Sequence, residues 1–227
     1  MASTLLFDGD DTLWANNHHF EVAIERFTAL VTGGQWTEAA VRDELDRVEE
    51  AAFHQGGAGK DAFGRNMREA AAGIVAAGRL PEVLEAVDGI VRDMGTTEVA
   101  LMAGVVSTLE ELGGRHVLGI VTRGDPAEQW AKIDGSGISG RFTHIEVVPD
   151  KDEATYRQLV AAWHLDPATT WMIGNSPRSD ILPARAAGLR AVYIPNPATW
   201  RLELADLDAA DDGVITLGAF AELLGRF

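Results

Sequence analysis

The sequence lacks cysteine and long apolar segments, and it has few basic residues. The absence of cysteine excludes disulfides, thiol catalysis and cysteine-ligated metal sites. It contains no run of about 18 apolar residues, so we expect no membrane-spanning helix. The N-terminus does not combine a basic region with a following apolar one, so we expect no secretory signal. These features are typical of a cytoplasmic protein.

Acidic residues outnumber basic ones, with 35 Asp and Glu against 19 Lys and Arg and a net charge of -16. This balance argues against nucleic acids and anionic membranes as partners, because both select basic surfaces. It remains compatible with a small anionic substrate, since a metal ion and a few local donors can reverse the field inside one pocket. A chain of 227 residues, 46% apolar, can form one large domain or two small ones.

The hydrophobic periodicity changes along the chain. From about residue 15 to residue 100 apolar side chains recur at helical spacing, with no convincing strand. Beyond that point short apolar strands alternate with helices, which is typical of a parallel sheet covered on both faces. The lone strand at residues 4–7 needs partners from this later part. The sequence therefore predicts an α/β fold, in which a Rossmann-like parallel-sheet core (1–14 and 104–227) carries an inserted all-helical domain (15–103).

Three acidic residues directly follow the first predicted strand. Asp8, Asp10 and Asp11 lie within four positions of one another. If the extended geometry persists, Asp8 and Asp10 point to the same side, where two like charges repel. A divalent cation is the simplest compensation, because such ions prefer hard oxygen ligands. An ordinary acidic turn is the alternative, but the apolar residues on either side disfavour it.

Polar side chains also follow the other predicted strands. In open parallel sheets the ligand site lies at the carboxyl ends of the strands, so these groups are expected to converge. The opposite strand ends show nothing comparable. The converging segments are Asp8-Gly9-Asp10-Asp11-Thr12, Thr122-Arg123-Gly124-Asp125, Asp150-Lys151-Asp152, and Gly174-Asn175-Ser176 with Asp180.

This ordered set of motifs resembles that of haloacid dehalogenase superfamily hydrolases, of the phosphatase type with a helical cap inserted after the first motif. The matching residues are Asp8 to Leu13, then Thr122, then Lys151, and finally Gly174-Asn175 with Asp180. The resemblance covers essentially the whole chain. It implies the same core fold and places the inserted helices as the cap domain.

The resemblance also implies a role for each motif. Asp8 would be the nucleophile and Asp10 the general acid and base. Thr122 and Lys151 would bind the phosphoryl oxygens. Mg2+ would be held by Asp8, the main-chain carbonyl of Asp10, and the two fourth-motif residues Asn175 and Asp180.

The implied activity is Mg2+-dependent hydrolysis of a small soluble phosphomonoester through an aspartyl phosphate. Arg123, Gly124 and Lys60 are further candidates for substrate binding. Lys60 follows the glycine-rich stretch 56–59, the most loop-like part of the insertion. For Arg123, a salt bridge to one of many acidic neighbours is at least an equal alternative.

Asn175 departs from the pattern, since many relatives carry Asp there. Its carbonyl oxygen can still bind Mg2+ but adds no charge, so we expect weaker metal binding. The phosphatase-like Asp10 separates the chain from the dehalogenases themselves, which lack this second acid. The alternatives are a phosphomutase, a phosphonate hydrolase with Lys60 as its Schiff-base lysine, and a non-catalytic protein that retains the fold.

Overall fold

The computed structural model describes residues 2–53, 59–94 and 99–227, apart from the side chain of Phe53. The chain forms two compact units. One comprises Met1–Asn17 together with Val99–Phe227, and the other comprises His18–Glu98. Within the described residues no helix combines the length and the apolar character that a membrane span requires.

In the described residues, the second unit is built from four helices around its own apolar core. Its buried side chains recur at helical spacing, as in Ala23, Phe27 and Val31 of the first helix, so each helix turns one face inward. Pro81 lies in the first turn of the fourth helix, where its missing N–H has no helical partner to lose. The helices are α1 (Asn17–Val31), α2 (Glu38–Phe53), α3 (Lys60–Ile74) and α4 (Leu80–Asp93).

The first unit contains a six-stranded sheet in which every adjacent pair of strands is parallel. The strands lie in the order β3-β2-β1-β4-β5-β6, so the N-terminal strand is central. This arrangement confirms the predicted α/β fold with a Rossmann-like parallel sheet. The strands are β1 (Thr4–Phe7), β2 (Val117–Arg123), β3 (His144–Val148), β4 (Thr170–Gly174), β5 (Arg190–Tyr193) and β6 (Val214–Thr216).

Apolar side chains cover both faces of this sheet. Leu5 and Phe7 pack into the cluster on one face, while Leu6, between them, packs into the cluster on the other. Successive strand residues point to opposite faces, so a strand buried on both sides needs an uninterrupted apolar run. The helices of this unit are α5 (Val105–Gly113), α6 (Pro126–Gly135), α7 (Glu153–Ala162) and α8 (Leu182–Ala186).

Two helical segments of this unit depart from α-helical geometry. A π-helical turn, Pro177–Ile181, directly precedes α8. Pro183 has no N–H to donate to the carbonyl of Ser179, and that carbonyl accepts the Tyr156 hydroxyl at 3.0 Å. The last helical segment is a 3-10 helix, Phe220–Gly225.

The segments that lead into and out of the helical unit pair with each other inside the first unit. Ala15 donates its N–H to the carbonyl of Ala100 at 2.8 Å, and Met102 donates to the carbonyl of Leu13 at 2.9 Å. Trp14 and Leu101 form an antiparallel bridge between these bonds. The helical unit is therefore an insertion whose two ends leave the sheet-bearing unit side by side.

Candidate active site

Most of the residues identified from the sequence meet at the carboxyl edge of the sheet. The parallel pairing of β1 with β2 and β4 brings Asp8, Thr122 and Asn175 to this edge. Lys151, after β3, donates to Asp8 Oδ1 and, at 2.8 Å, to Asp180 Oδ1. Its side chain is only 2% exposed. Four segments far apart in sequence thus form one buried polar cluster.

Two glycines make room for this cluster. A Cβ atom on Gly174 would lie 2.1 Å from Asp180 Oδ2, the oxygen that accepts the N–H of Ser176 at 2.9 Å. A Cβ on Gly9 would lie 2.6 Å from the Trp14 ring and 3.1 Å from Thr122 Oγ1. The distances of 2.1 Å to Asp180 and 2.6 Å to Trp14 are too short for a real Cβ atom. Glycine is therefore required at both positions for close approach rather than for backbone flexibility.

The pKa values of Asp8 and Lys151 depend on their burial and on the charges of neighbouring groups. Burial, followed by the nearby charge of Asp180, raises the pKa of Asp8 from 3.8 to about 8, although Lys151 acts in the opposite direction. Burial alone would lower the pKa of Lys151, but the charges of Asp180 and Asp8 outweigh it and raise that pKa. Lys151 stays an ammonium paired with Asp180, and Asp8 ionises fully at neutral pH only with further positive charge nearby.

Asp10 has a separate set of partners. The strand ends at Phe7, so the extended geometry does not persist and the two carboxylates reach different neighbours. The Trp14 indole donates to Asp10 Oδ1 at 2.7 Å, and Gln129 Nε2 donates to Oδ2 at 3.2 Å. Lys132 Nζ lies 3.0 Å from both carboxylate oxygens. Asp10 is thus held entirely by donors, whereas Asp8 lies beside a second acid.

Gln129 and Lys132 were not identified from the sequence. They lie three residues apart on α6, so they share one face of the helix that follows the Thr122 motif. That spacing is the signal that could have indicated them, but equivalent polar pairs occur on many solvent-exposed helix faces. Which face turns toward the site depends on packing of the helix against the sheet.

Asn175 fits its surroundings in two amide orientations. In one, its oxygen accepts from the Thr12 hydroxyl at 3.1 Å and lies 3.3 Å from Asp8 Oδ2 and 3.2 Å from the Asp10 carbonyl oxygen. In the other, the amide nitrogen donates to those same atoms. The first orientation gathers three acceptor oxygens, which suits a cation; the second satisfies them without one.

The donor chemistry at this point fits a hard divalent ion. In the first orientation a carboxylate oxygen of Asp8, the carbonyl of Asp10 and the amide oxygen of Asn175 meet here, and Lys151 Nζ contacts both Asp8 and Asp180. Among the described residues no three His, Cys, Asp or Glu side chains form a metal-binding group. Amide and main-chain oxygens would therefore supply part of the coordination.

Asp11 lies away from this cluster and holds the start of the helical insertion. Its backbone has a left-handed φ of 62°, and its carboxylate accepts the N–H groups of Asn16 and Asn17 at 3.0 and 3.1 Å. Burial raises the pKa of Asp11 from 3.8 to about 6, with the two backbone bonds acting against it. The contacts of this third acid are structural.

The three further substrate-binding candidates lie in different surroundings. Arg123 pairs with Glu203 and donates to Ser179 Oγ at 3.2 Å, so its charge is already matched inside the unit. Gly124 has a φ of 149°, and a Cβ there would lie 2.9 Å from Gln129 Nε2. Lys60 is the first residue of α3 in the helical unit, and residues 54–58 before it lie outside the described residues.

Thr122 is buried at the end of β2, close to Gly9. Its hydroxyl donates to Gln129 Oε1 at 3.0 Å, and the other end of the same amide reaches Asp10. Gln129 therefore connects Thr122 of the second motif to Asp10. The cluster as a whole offers one carboxylate beside a buried ammonium, a second carboxylate among donors, and a hydroxyl that Gln129 links to the second carboxylate.

Comparison with known proteins identifies relatives of this chain. The family model for haloacid dehalogenase-like hydrolases matches residues 2–188. A glyceraldehyde 3-phosphate phosphatase of Pyrococcus abyssi is 33% identical over 94 residues, which cover 39% of each protein. The match thus spans less than half of that curated relative.

Solved structures extend the comparison to the whole chain. A haloacid dehalogenase-like family hydrolase from Xanthomonas campestris has a TM-score of 0.81 and 25% identity, covering 99% of this chain and 94% of that one. A 2-haloacid dehalogenase from Pseudomonas syringae shares the fold, with a TM-score of 0.62, 20% identity, and coverage of 100% of this chain and 99% of that one. The family-model match, with the parallel sheet and its motif-bearing edge, shows that the chain belongs to the haloacid dehalogenase-like hydrolases.

Proposed function

We propose that this protein is a Mg2+-dependent phosphomonoester hydrolase that acts on a small phosphorylated metabolite in the cytoplasm. The observation that carries the proposal is the pair of unlike carboxylates at one sheet edge. Asp8 lies beside the buried ammonium of Lys151, while Asp10, two residues on, has a separate set of donors. A phosphomonoesterase needs a nucleophile and a separate proton carrier, and this arrangement supplies both.

In the first half-reaction an Asp8 carboxylate oxygen attacks phosphorus. The bond from phosphorus to the leaving oxygen breaks, and Asp10 gives that oxygen a proton. An aspartyl phosphate and a free alcohol result. Lys151 and Thr122 bind phosphoryl oxygens, where donors aimed at developing charge are worth roughly 3 to 4 kcal/mol each.

In the second half-reaction Asp10, now ionised, takes a proton from water. The water oxygen attacks phosphorus and the bond to Asp8 breaks, which releases inorganic phosphate and restores the Asp8 carboxylate and the protonated Asp10. One group thus serves as acid and then as base, so its carboxylate must keep its orientation through both steps.

Asp8, the Asp10 carbonyl, Asn175 and Asp180 would hold the magnesium ion. When bound, the ion supplies positive charge beside the phosphoryl group and beside Asp8. Asp8 needs such charge, because its burial raises its pKa to about 8 in the surroundings described. Asn175 adds an oxygen but no charge, so we expect weaker binding of Mg2+ than at a site with a carboxylate there.

The test is hydrolysis of 4-nitrophenyl phosphate with and without Mg2+, in the wild type and in Asp8→Asn. We expect turnover that depends on Mg2+ and falls by roughly 10³-fold or more in the variant. Asp206→Asn, which removes one carboxylate at an exposed position, is the matched control and should retain wild-type turnover. Equal rates in the wild type and Asp8→Asn would contradict the proposal, as would turnover indifferent to Mg2+.

A dehalogenase activity is the second candidate, because a structural neighbour of this chain carries that name. Asp10 argues against it, since displacement of a halide leaves no oxygen that needs a proton. Chloride release from 2-chloropropionate separates the two activities. Chloride release without any phosphatase activity would overturn the phosphatase proposal.

A further inference from the structure

The inner face of α6 is directed at the Asp10 carboxylate. Lys132 Nζ lies 3.0 Å from each of its oxygens, and Gln129 Nε2 donates to Oδ2 at 3.2 Å. Gln129 is only 3% exposed, and the side chain of Lys132 is 17% exposed. An ammonium this buried would be unfavourable without close anionic partners, so the contact with Asp10 is a strong structural constraint.

Gln129 is held at both ends. Its Oε1 accepts the Thr122 hydroxyl at 3.0 Å, which fixes the orientation of the amide and directs the nitrogen to Asp10. Gly124 leaves the space that this side chain needs, because a Cβ there would lie 2.9 Å from Gln129 Nε2. The amide is therefore built into the site rather than resting against it.

Lys132 is similarly fixed by its surroundings. It also donates to Asn16 Oδ1 at 2.8 Å and lies 3.2 Å from Glu128 Oε1, one turn earlier on α6. With Trp14 on the other side, donors surround the Asp10 carboxylate from two chain segments. Together these contacts restrict the rotation of the Asp10 carboxylate more than any one of them would.

We propose that Lys132 and Gln129 are positioning residues that hold the Asp10 carboxylate in the orientation needed for proton transfer. The proposal rests on the proposed function, because it assumes that Asp10 carries the proton. Neither residue need touch the substrate. Misplacing a reacting group by about 1 Å can reduce a rate by roughly 100-fold, so loss of this support should affect catalysis strongly.

The test compares kcat/KM for phenyl phosphate and for 4-nitrophenyl phosphate in Lys132→Met. Phenolate is the poorer leaving group and depends more on proton donation, whereas the two substrates are alike in size and charge. We expect the variant to lose roughly tenfold or more with phenyl phosphate and clearly less with 4-nitrophenyl phosphate. Lys132→Arg should restore part of the loss, because it keeps a cationic donor.

A double-mutant cycle shows whether Lys132 acts through Asp10. In an Asp10→Asn background we expect Lys132→Met to change kcat/KM by less than about twofold, because the group it positions is already disabled. Arg115→Met, in the turn before β2 at the opposite edge of the sheet, is the control for loss of one cation. Thermal unfolding of each variant checks that it is folded.

Two results would overturn this proposal while leaving the phosphatase in place. One is a large loss in Asp10→Asn with less than a twofold loss in Lys132→Met. The other is an equal loss from Lys132→Met in both backgrounds, which would point to its contact with Asn16 instead. If Lys132→Met does not fold, Gln129→Met serves in the same cycle with the same expectations. Failure of the proposed function itself is recognised separately, by equal rates in the wild type and Asp8→Asn.

Discussion

At the scale of single residues, the two acids after β1 differ because their neighbours differ. Asp8 is buried beside Asp180 and Lys151, and burial raises its pKa to about 8. The Asp10 carboxylate accepts from donors on Trp14 and α6. The sequence places both acids at one strand end but cannot distinguish their surroundings, because all their partners named here except Trp14 lie more than a hundred positions away. The division of roles between them therefore rests on tertiary structure.

Gly174 offers a steric test of the cluster. In Gly174→Ala the new Cβ would overlap Asp180 Oδ2, so Asp180 must move and lose its contacts with Lys151 and Ser176. We expect phosphatase activity to fall at least about tenfold and unfolding free energy to fall by about 1–3 kcal/mol. Steady-state kinetics and urea denaturation measure the two effects.

Gly140→Ala is the matched control, because nothing lies within 4 Å of its added Cβ and its backbone is not left-handed. Its unfolding free energy should change by no more than about 0.5 kcal/mol, with activity retained. If both alanine variants behaved alike, the close packing of Asp180 against Gly174 would not matter to the site.

Asp11 should make stability depend on pH. Its pKa is about 6 in the folded protein and 3.8 when unperturbed, so the folded state binds the proton more tightly. Stability is therefore lost as pH rises between these values, by up to about 3 kcal/mol. In Asp11→Asn this loss should be absent, since the amide does not titrate but keeps an oxygen for the N–H groups of Asn16 and Asn17.

Urea denaturation at several pH values between about 4 and 7 measures this difference. The unfolding free energy of the wild type should decline relative to that of Asp11→Asn across this window. Parallel curves for the two proteins would show that the Asp11 carboxylate ionises as easily in the folded protein as in the unfolded chain.

At the scale of secondary-structure elements, the sequence predicted the features that depend on hydrophobic periodicity and on the polar residues at strand ends. β1 lies at the centre of the sheet because its apolar run, Leu5 to Phe7, needs a neighbouring strand at each edge and apolar side chains over both faces. The motif residues Thr122, Lys151 and Asp180 were identified because parallel strands place their carboxyl ends together. What their side chains do remains a prediction.

The features that the sequence did not predict depend on packing between elements. Gln129 and Lys132 contact Asp10 because α6 turns that face toward the segment after β1, which no local pattern encodes. The π-helical turn at Pro177–Ile181 likewise depends on a distant hydroxyl, that of Tyr156, which bonds the carbonyl that Pro183 leaves free. Glu203 is buried by its pairing with Arg123, although its surrounding sequence is an ordinary irregular segment.

The start of α6 should be sensitive to its cap. The exposed side chain of Asp125 accepts the N–H of Glu128 at 3.0 Å, and Pro126 follows at the first helical position. Asp125→Ala should lower the unfolding free energy by about 1 kcal/mol. Asp125→Ser, which retains a capping oxygen, should recover most of that loss. Urea denaturation of the three proteins measures this, and equal loss in Ala and Ser would mean that the cap is not responsible.

At the scale of the whole molecule, an acidic chain concentrates several cations at one edge of its sheet. Arg123, Lys132 and Lys151 all lie there, each matched to carboxylates of the same unit. A net charge of -16 therefore does not describe the field at the site. Most of the acidic excess lies elsewhere, where it favours solubility and disfavours polyanionic partners.

The two units also have separate apolar cores. Among the described residues, the buried members of the helical core lie between Ala23 and Ile90, and those of the two clusters that cover the sheet belong to the first unit. The chain leaves and re-enters that unit through the paired segments around Leu13 and Met102. Each unit therefore meets the main requirement for independent folding, a core of its own.

Removing the insertion tests this independence. We expect residues 1–17, joined through a short glycine–serine linker to residues 99–227, to fold and to unfold cooperatively in urea. The hydrogen bonds between Ala15 and Ala100 and between Met102 and Leu13 already hold the two ends together, so closing the short loop adds little entropic cost. The urea m-value should fall in proportion to the smaller surface exposed on unfolding. A broad, non-cooperative transition would instead show that the sheet-bearing unit requires the helical unit to fold.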